Sequence, residues 1–227
     1  MKENDQTSGN NIAIGRRSLL TGVGVAAVTG LAASAASTSA QAQQGSGGFQ
    51  PARHSKDAWM GELGGNHRVF VDSSTMPGGA NALRYANNIM TAHEEDYEGE
   101  ASDYAIIVCF RHTSTPYAFN DAIWAKYGGL LDRSADPAPT SNPMNVASRA
   151  NGNNSIPMIV DKGAQFAICH RATRSFSRML SSATGTAYDD IYAELLANAI
   201  PNSRFVAAGV LAATRAQEYG YSLLYAE

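Results

Sequence analysis

The chain has 227 residues, a net charge of −3 and two cysteines. A mildly acidic balance excludes nucleic acid as a partner, since phosphates demand a basic surface. Removing the expected leader described next leaves about 185 residues, the size of one domain with a substantial core.

Gly15-Arg16-Arg17-Ser18-Leu19-Leu20 is a twin-arginine pair. A weakly apolar Ala/Gly-rich stretch follows to about Ala36, and Ala40-Gln41-Ala42 is a small-x-small cleavage site. Together these predict a Tat export signal over residues 1–42, the Tat translocase as a transient partner and a periplasmic mature protein. Gly22, Gly24, Thr29, Gly30 and Ser34 interrupt the apolar stretch, which makes it a poor permanent span; retention as a membrane anchor by an uncleaved signal is the alternative. Lys2, Arg16 and Arg17 stand against Glu3 and Asp5 in the leader, so the mature chain carries −4. Residues 43–66, rich in Gln, Gly, Ser and Asn, are expected to form a flexible, exposed arm.

The domain proper is expected over 67–227. His67–Ser74 is a first strand, and Gly79 to Tyr97 a helix on which Leu83, Ala86, Met90 and His93 recur at helical spacing. The acidic run Glu94, Glu95, Asp96, Glu98 and Glu100 is its solvated end. Tyr104–Phe110 lacks polar alternation, the mark of a strand covered on both faces. A helix from Phe119 to Tyr127 is expected to stop at Gly128-Gly129. Residues 131–155, with Asp136-Pro-Ala-Pro and Asn151-Gly-Asn-Asn, have loop composition at unusual length and read as an insertion, either a solvated loop or a lid or subunit-contacting arm. A short helix at Ile156–Lys162 leads to a strand ending at Cys169. Helical stretches at Thr173–Leu180 and Tyr188–Ala199, a strand at Arg204–Ala208, a helix at Gly209–Tyr219 and a strand at Tyr221–Tyr225 complete the pattern.

Five strands alternating with helices imply an α/β fold, a parallel sheet with helices on both faces. Ligands of such sheets gather beyond the carboxyl ends of the strands. That edge collects Ser73, Ser74, Thr75, Arg111, His112, Cys169, His170 and Gly209. Cys109 lies mid-strand and reads as core, whereas Cys169 ends its strand where a helix begins. A thiol there meets unpaired helix N–H groups, and Arg171, Arg174 or His112 would further favour the thiolate. Such a sulfur attacks disulfides, persulfides or sulfane sulfur; an inert buried cysteine is the alternative. His170 is expected on the face opposite Cys169, as a surface or helix-capping histidine, and Arg111 and His112 are equally compatible with a loop held by hydrogen bonds. One disulfide is conceivable in an exported chain, but two internal strands restrict its geometry. Metal or haem ligation by Cys169, His112 and His170 competes in principle; the spacing shows no Cys-x-x-Cys or His-x-x-x-His, and neither metal nor cofactor is expected. Met76-Pro-Gly-Gly-Ala-Asn81 matches no phosphate-binding fingerprint and reads as a turn.

The segment Gln165–Arg174, with its strand-end cysteine before a basic helix start, and the ending Ile200-Pro201-Asn202-Ser203, Gly209-Val210, Gln217-Glu218-Tyr219-Gly220-Tyr221 resemble the DsrE/DsrF-like (YchN-like) sulfur-relay family over residues 67–227. The resemblance implies a flavodoxin-like five-stranded parallel sheet, assembly into trimers or hexamers, and a persulfide carried on Cys169 in exchange with a donor or acceptor protein, as sulfurtransferase or sulfur carrier. A non-catalytic assembly or small-ligand binding protein of the same fold is the other reading. Beyond the family's core the chain adds the loop 131–155, a long stretch between the third and fourth strands, and the export signal.

Overall fold

The structure, a computed structural model, describes residues 50–227. The expected export signal and the first residues of the arm lie outside the described residues. The described part contains strands β1 (His67–Ser73), β2 (Tyr104–Phe110), β3 (Gln165–Cys169), β4 (Ser203–Val206) and β5 (Ser222–Ala226). Its helices are α1 (Trp59–Glu62), α2 (Met76–Asp96), α3 (Asp121–Leu131), α4 (Ile156–Asp161), α5 (His170–Thr184), α6 (Tyr188–Ala197) and α7 (Gly209–Glu218). None of the described helices is long and apolar enough to cross a membrane.

All five strands are parallel, in the order β4-β3-β2-β1-β5. The expected five-stranded parallel α/β sheet is therefore present, and this order explains its layering. From β1 to β4 every step moves in one direction, and right-handed crossovers then place all the intervening helices on one face. The return from β4 across to β5 reverses direction and puts α7 on the other. Residues alternate accordingly along each strand. Val69, Val71, Ile106, Val108, Phe110, Phe166 and Ile168 pack with α2 to α6. Phe70, Ala105, Ile107, Cys109, Ala167 and Val206 pack with α1 and α7. The helix α7 meets the sheet through Ala212, Ala213 and Ala216, side chains small enough to let its backbone lie close.

Four expectations change. Met76–Asn81 is not a turn but the opening of α2, with Pro77 in its first turn. Residues 50–66 are not wholly an exposed arm: Trp59 and Met60 are buried in the α7-side core, because one long helix cannot cover that face of the sheet alone. The helix α3 does not stop at Gly128-Gly129 but runs on to Leu131. Gly128 serves close approach instead, since a Cβ there would lie 1.8 Å from the Pro139 carbonyl oxygen. The helix after β3 begins at His170, earlier than expected, and ends at Gly185 in the left-handed conformation, φ 73°.

The long loop between α3 and α4 is tied to the domain by asparagines. Asn142, buried, donates to the carbonyls of Tyr117 (2.8 Å) and Phe119 (2.7 Å) and accepts from Met144 N–H (2.9 Å). Met144 enters the core beside it, and its carbonyl accepts from Ile156 N–H at 2.8 Å.

Three buried protic groups set an alkaline limit on stability. Burial raises the phenols of Tyr117 and Tyr221 to about 12, and the Tyr221 hydroxyl donates to the Met60 carbonyl at 2.7 Å. Burial, ahead of the neighbouring Asp72, pushes the Cys109 thiol well above its ordinary value. Each folded value lies above the unfolded one, so the unfolded chain releases these protons first. The stability is fully present below about 8.5 for the thiol and about 10 for the phenols. It is lost as the pH climbs from there through the folded values, by up to about 1.4 kcal/mol per pH unit for each group. Urea midpoints should fall steadily between about pH 8 and pH 11; a constant midpoint across that window contradicts the burial of these groups.

Candidate functional site

The helix that follows β3 leaves to one face of the sheet and the helix that follows β4 to the other. Such a divergence opens a crevice at the carboxyl edge, the position where open α/β sheets bind ligands. A cavity of about 310 Å³ lies there, lined by Arg111, His112, Cys169, Arg171, Ala172, Ser175, Ala208, Gly209 and Val210. It brings together three expected strand ends, with Cys169 between them. A larger cavity of about 600 Å³ lies at the opposite, amino edge, away from both cysteines.

Cys169 is the N-cap of α5. Its backbone is extended, and its Sγ accepts the Ala172 N–H at 3.5 Å. The thiol therefore takes the place that a serine or aspartate oxygen occupies at most helix starts. Its residue is 6% exposed, and the exposure opens onto the crevice. The register pairs Cys109 with Ala167, placing Cys169 two residues farther along the same face. With strands about 4.8 Å apart and about 3.3 Å per residue, the two Cα atoms stand about 8 Å apart, beyond the reach of an unstrained disulfide. Both thiols are free.

The expected supporting residues separate into two groups. Arg171 and His112 line the crevice with the thiol. His112 adopts φ 55°, turning the chain sharply as it leaves β2. His170 and Arg174, one helical turn apart, face α6 instead. The His170 ring packs against Tyr192 and Phe205, and its Nε2 hydrogen-bonds the Tyr192 hydroxyl. Arg174 Nε donates to the same hydroxyl at 3.4 Å. Burial first, and then the charge of Arg174, lower the His170 imidazole below its ordinary value. His170 points away from Cys169 as expected, but not as a surface or helix-capping histidine: Cys169 caps α5, and the ring packs between Tyr192 and Phe205. Arg174 is turned away from the sulfur that it was expected to assist.

Arg111 lines the crevice but spends its charge on the neighbouring strand. Its Nε donates to both oxygens of Asp72, at 2.8 and 3.0 Å, and its Nη2 to Oδ2 at 2.8 Å. Asp72 was not among the expected residues, although Val69-Phe-Val-Asp72 holds the signal: a carboxylate inside an apolar strand needs a cation. Burial first, and then the charge of Asp72, push the Cys109 thiol well above its ordinary value. Above this cluster, Gly209 admits the helix start where a Cβ would lie 2.7 Å from Arg111 Cβ and 3.1 Å from Cys109 Sγ. Ser114, fully buried, ties the ends of β1 and β2 together: its Oγ accepts Arg111 N–H at 3.0 Å and lies 3.0 Å from the Ser73 carbonyl. Ser74 meets the Tyr225 hydroxyl at 2.5 Å, and Thr75 caps α2 by accepting Gly78 N–H at 2.9 Å.

Among the described residues no three His, Cys, Asp or Glu side chains group as a metal-ligand set. The arrangement offers a single thiol at a crevice that Arg111, His112 and Arg171 share with small apolar side chains, the Arg111 charge being paired with Asp72. No protein-family model matches the chain, and no curated protein matches it.

Proposed function

We propose that the chain is an exported DsrE-like protein that binds or transfers sulfane sulfur through Cys169. The observation that carries this reading is the Cys169 thiol at the start of α5, opening onto the crevice where the helices after β3 and β4 diverge. In the reaction the Cys169 thiolate attacks the outer sulfur of a persulfide or polysulfide donor. A new S–S bond forms, the donor's S–S bond breaks, and the donor leaves as a thiolate with the electron pair. An acceptor thiolate then takes the outer sulfur from Cys169 by the same exchange, which regenerates the starting thiolate. Arg171 and the first N–H groups of α5 stabilise the anion in both states.

The deciding measurement is the intact mass of the exported protein after exposure to a polysulfide donor. One added sulfur on Cys169, removed by reductant and absent from Cys169→Ser, is expected. No gain, or a gain on Cys109, overturns the reading and favours a non-catalytic assembly or small-ligand binding protein, to which the low exposure of Cys169 lends support. The same sample tests two companion proposals. The twin arginines support export, so the mature chain should begin near Gln43. The edge strand β5, uncharged from Ser222 to Ala226 with Leu223, Leu224 and Tyr225 exposed, supports assembly with further copies of this chain. Light scattering should therefore give at least a trimer at micromolar concentration; a monomer contradicts the assembly, and a precursor-length chain contradicts cleavage near Gln43 and leaves the uncleaved signal as a membrane anchor.

A further inference from the structure

The crevice at Cys169 carries more basic chemistry than a thiol needs. Arg111, His112 and Arg171 line it, and no aspartate or glutamate does. The chain as a whole has a net charge of −3, so this local sign runs against the composition. Among the described residues the Arg171 guanidinium pairs with no carboxylate. The rest of the lining includes Ala172, Ala208, Gly209 and Val210, which bring no side-chain acceptor to compete for these donors.

Arg111 is fixed before any ligand arrives. Asp72 takes its Nε and Nη2, while Nη1 donates to no acceptor among the described residues. Its stem lies beneath the first residue of α7, where a Cβ at Gly209 would stand 2.8 Å from Arg111 Cδ. Asp72 offsets the Arg111 charge, so this side chain supplies a held N–H donor and Arg171 supplies the unbalanced charge. Two helix starts reinforce them. Cys169 caps α5, and α7 begins at Ala208, which has no side chain to cap the first N–H groups.

Guanidinium and amide N–H groups are matched by the oxygens of an oxyanion, which accept strong charge-assisted hydrogen bonds. The sulfurs of a persulfide or polysulfide accept only weakly. Size points the same way. At about 310 Å³ the crevice sits at the small end of ligand pockets, about 300–1,000 Å³, and Cys169 is only 6% exposed. A donor that reaches this sulfur is therefore a small molecule rather than a cysteine held in the surface of a folded protein. We infer that the donor is a sulfane-sulfur oxyanion of the thiosulfate and thiosulfonate class, in which the transferable sulfur is bonded to a sulfonate.

This assignment rests on the Cys169 reading and names the donor for that site. The Cys169 thiolate attacks the outer sulfur of thiosulfate, and a new S–S bond forms. The bond from that sulfur to the sulfonate breaks, and sulfite leaves with its electron pair. Thiolate and thiosulfate thus become persulfide anion and sulfite, with the total charge unchanged. Arg171 and the helix N–H groups meet the sulfonate oxygens as charge gathers on the departing sulfite.

The test exposes the full chain to thiosulfate, with polysulfide as a parallel arm, at constant ionic strength, and follows intact mass and released sulfite. Thiosulfate should add one sulfur to Cys169 for each sulfite released. The rate should saturate in the low millimolar range and fall when sulfate, which has the oxyanion but no sulfane sulfur, competes. Arg171 is exposed, so Arg171→Ala keeps the fold. It should raise the half-saturating thiosulfate concentration roughly tenfold while slowing polysulfide loading by no more than about threefold. Arg171→Lys should recover part of the loss. Loading by polysulfide with none from thiosulfate overturns the donor assignment and leaves the Cys169 reading standing, whereas loading by neither removes both. Thiosulfate loading that ignores sulfate, or an unchanged half-saturation in Arg171→Ala, also overturns the assignment.

Discussion

Native-state alkylation should modify Cys169 on the order of 100-fold faster than Cys109, since a fully covered thiol reacts only through an opening that costs much of the global stability. Cys109 has no exposed surface and is sealed beneath Gly209 by the start of α7. Its thiol is also pushed well above the ordinary value, chiefly by burial, so little thiolate is present even when reagent reaches it. Cys169 opens onto the crevice and faces the first turn of α5. The Cys169→Ser variant should lose the fast phase and keep its fold, because serine is a stronger helix N-cap than cysteine and can accept the same Ala172 N–H. Arg171→Ala should slow the fast phase. Arg174→Ala should leave it unchanged, since that guanidinium is spent on Tyr192. The measurement is mass-resolved labelling over time across a pH series. Slow reaction of both cysteines until the protein unfolds would remove the thiol-transfer reading and leave Cys169 a structural cap.

Arg111→Ala should be among the most destabilising single changes at this edge, by about 3 kcal/mol, the lower end of what is found when one partner of a buried pair is removed. The lower end applies because the two side chains are unequally covered, Arg111 being 21% exposed and Asp72 8%. Removing the arginine strands a carboxylate that water barely reaches. Asp72→Asn should cost less: the guanidinium left behind lies at the rim near the Tyr225 ring and can be hydrated. Replacing both by leucine should recover much of the loss, because no charge then remains to be desolvated. Urea unfolding of the two single variants and the double variant gives all three values. A loss in Arg111→Ala no larger than that of Asp72→Asn would contradict the burial asymmetry on which the ordering rests.

The layered architecture was legible from local pattern. Tyr104–Phe110 and Gln165–Cys169 are apolar without alternation, and only a strand covered on both faces satisfies such a run. Cys169 at a strand-to-helix junction follows from the same reading, because the basic, polar sequence after it cannot continue a buried strand. The loop 131–155 announced itself by its prolines and asparagines, though not that Asn142 would be buried as a clamp between Tyr117 and Phe119.

What the sequence could not decide were the long-range partners and the directions of side chains at the helix start. Asp72 and Arg111 lie 39 residues apart and become neighbours only through the pairing of β1 with β2. Trp59 and Met60 are buried because α7 alone leaves that face of the sheet uncovered, a deficit that exists only once the crossovers have sent the other long helices to the opposite side. His170, Arg171 and Arg174 are nearly adjacent in the chain, yet a rotation of 100° per residue sends the first and last toward Tyr192 and leaves Arg171 at the crevice. Composition and periodicity determined the strands, the sheet and the place of the thiol, because these depend on which short segments must be buried. Tertiary packing decided which charges serve that thiol, because each guanidinium turns to whichever partner the fold brings within reach.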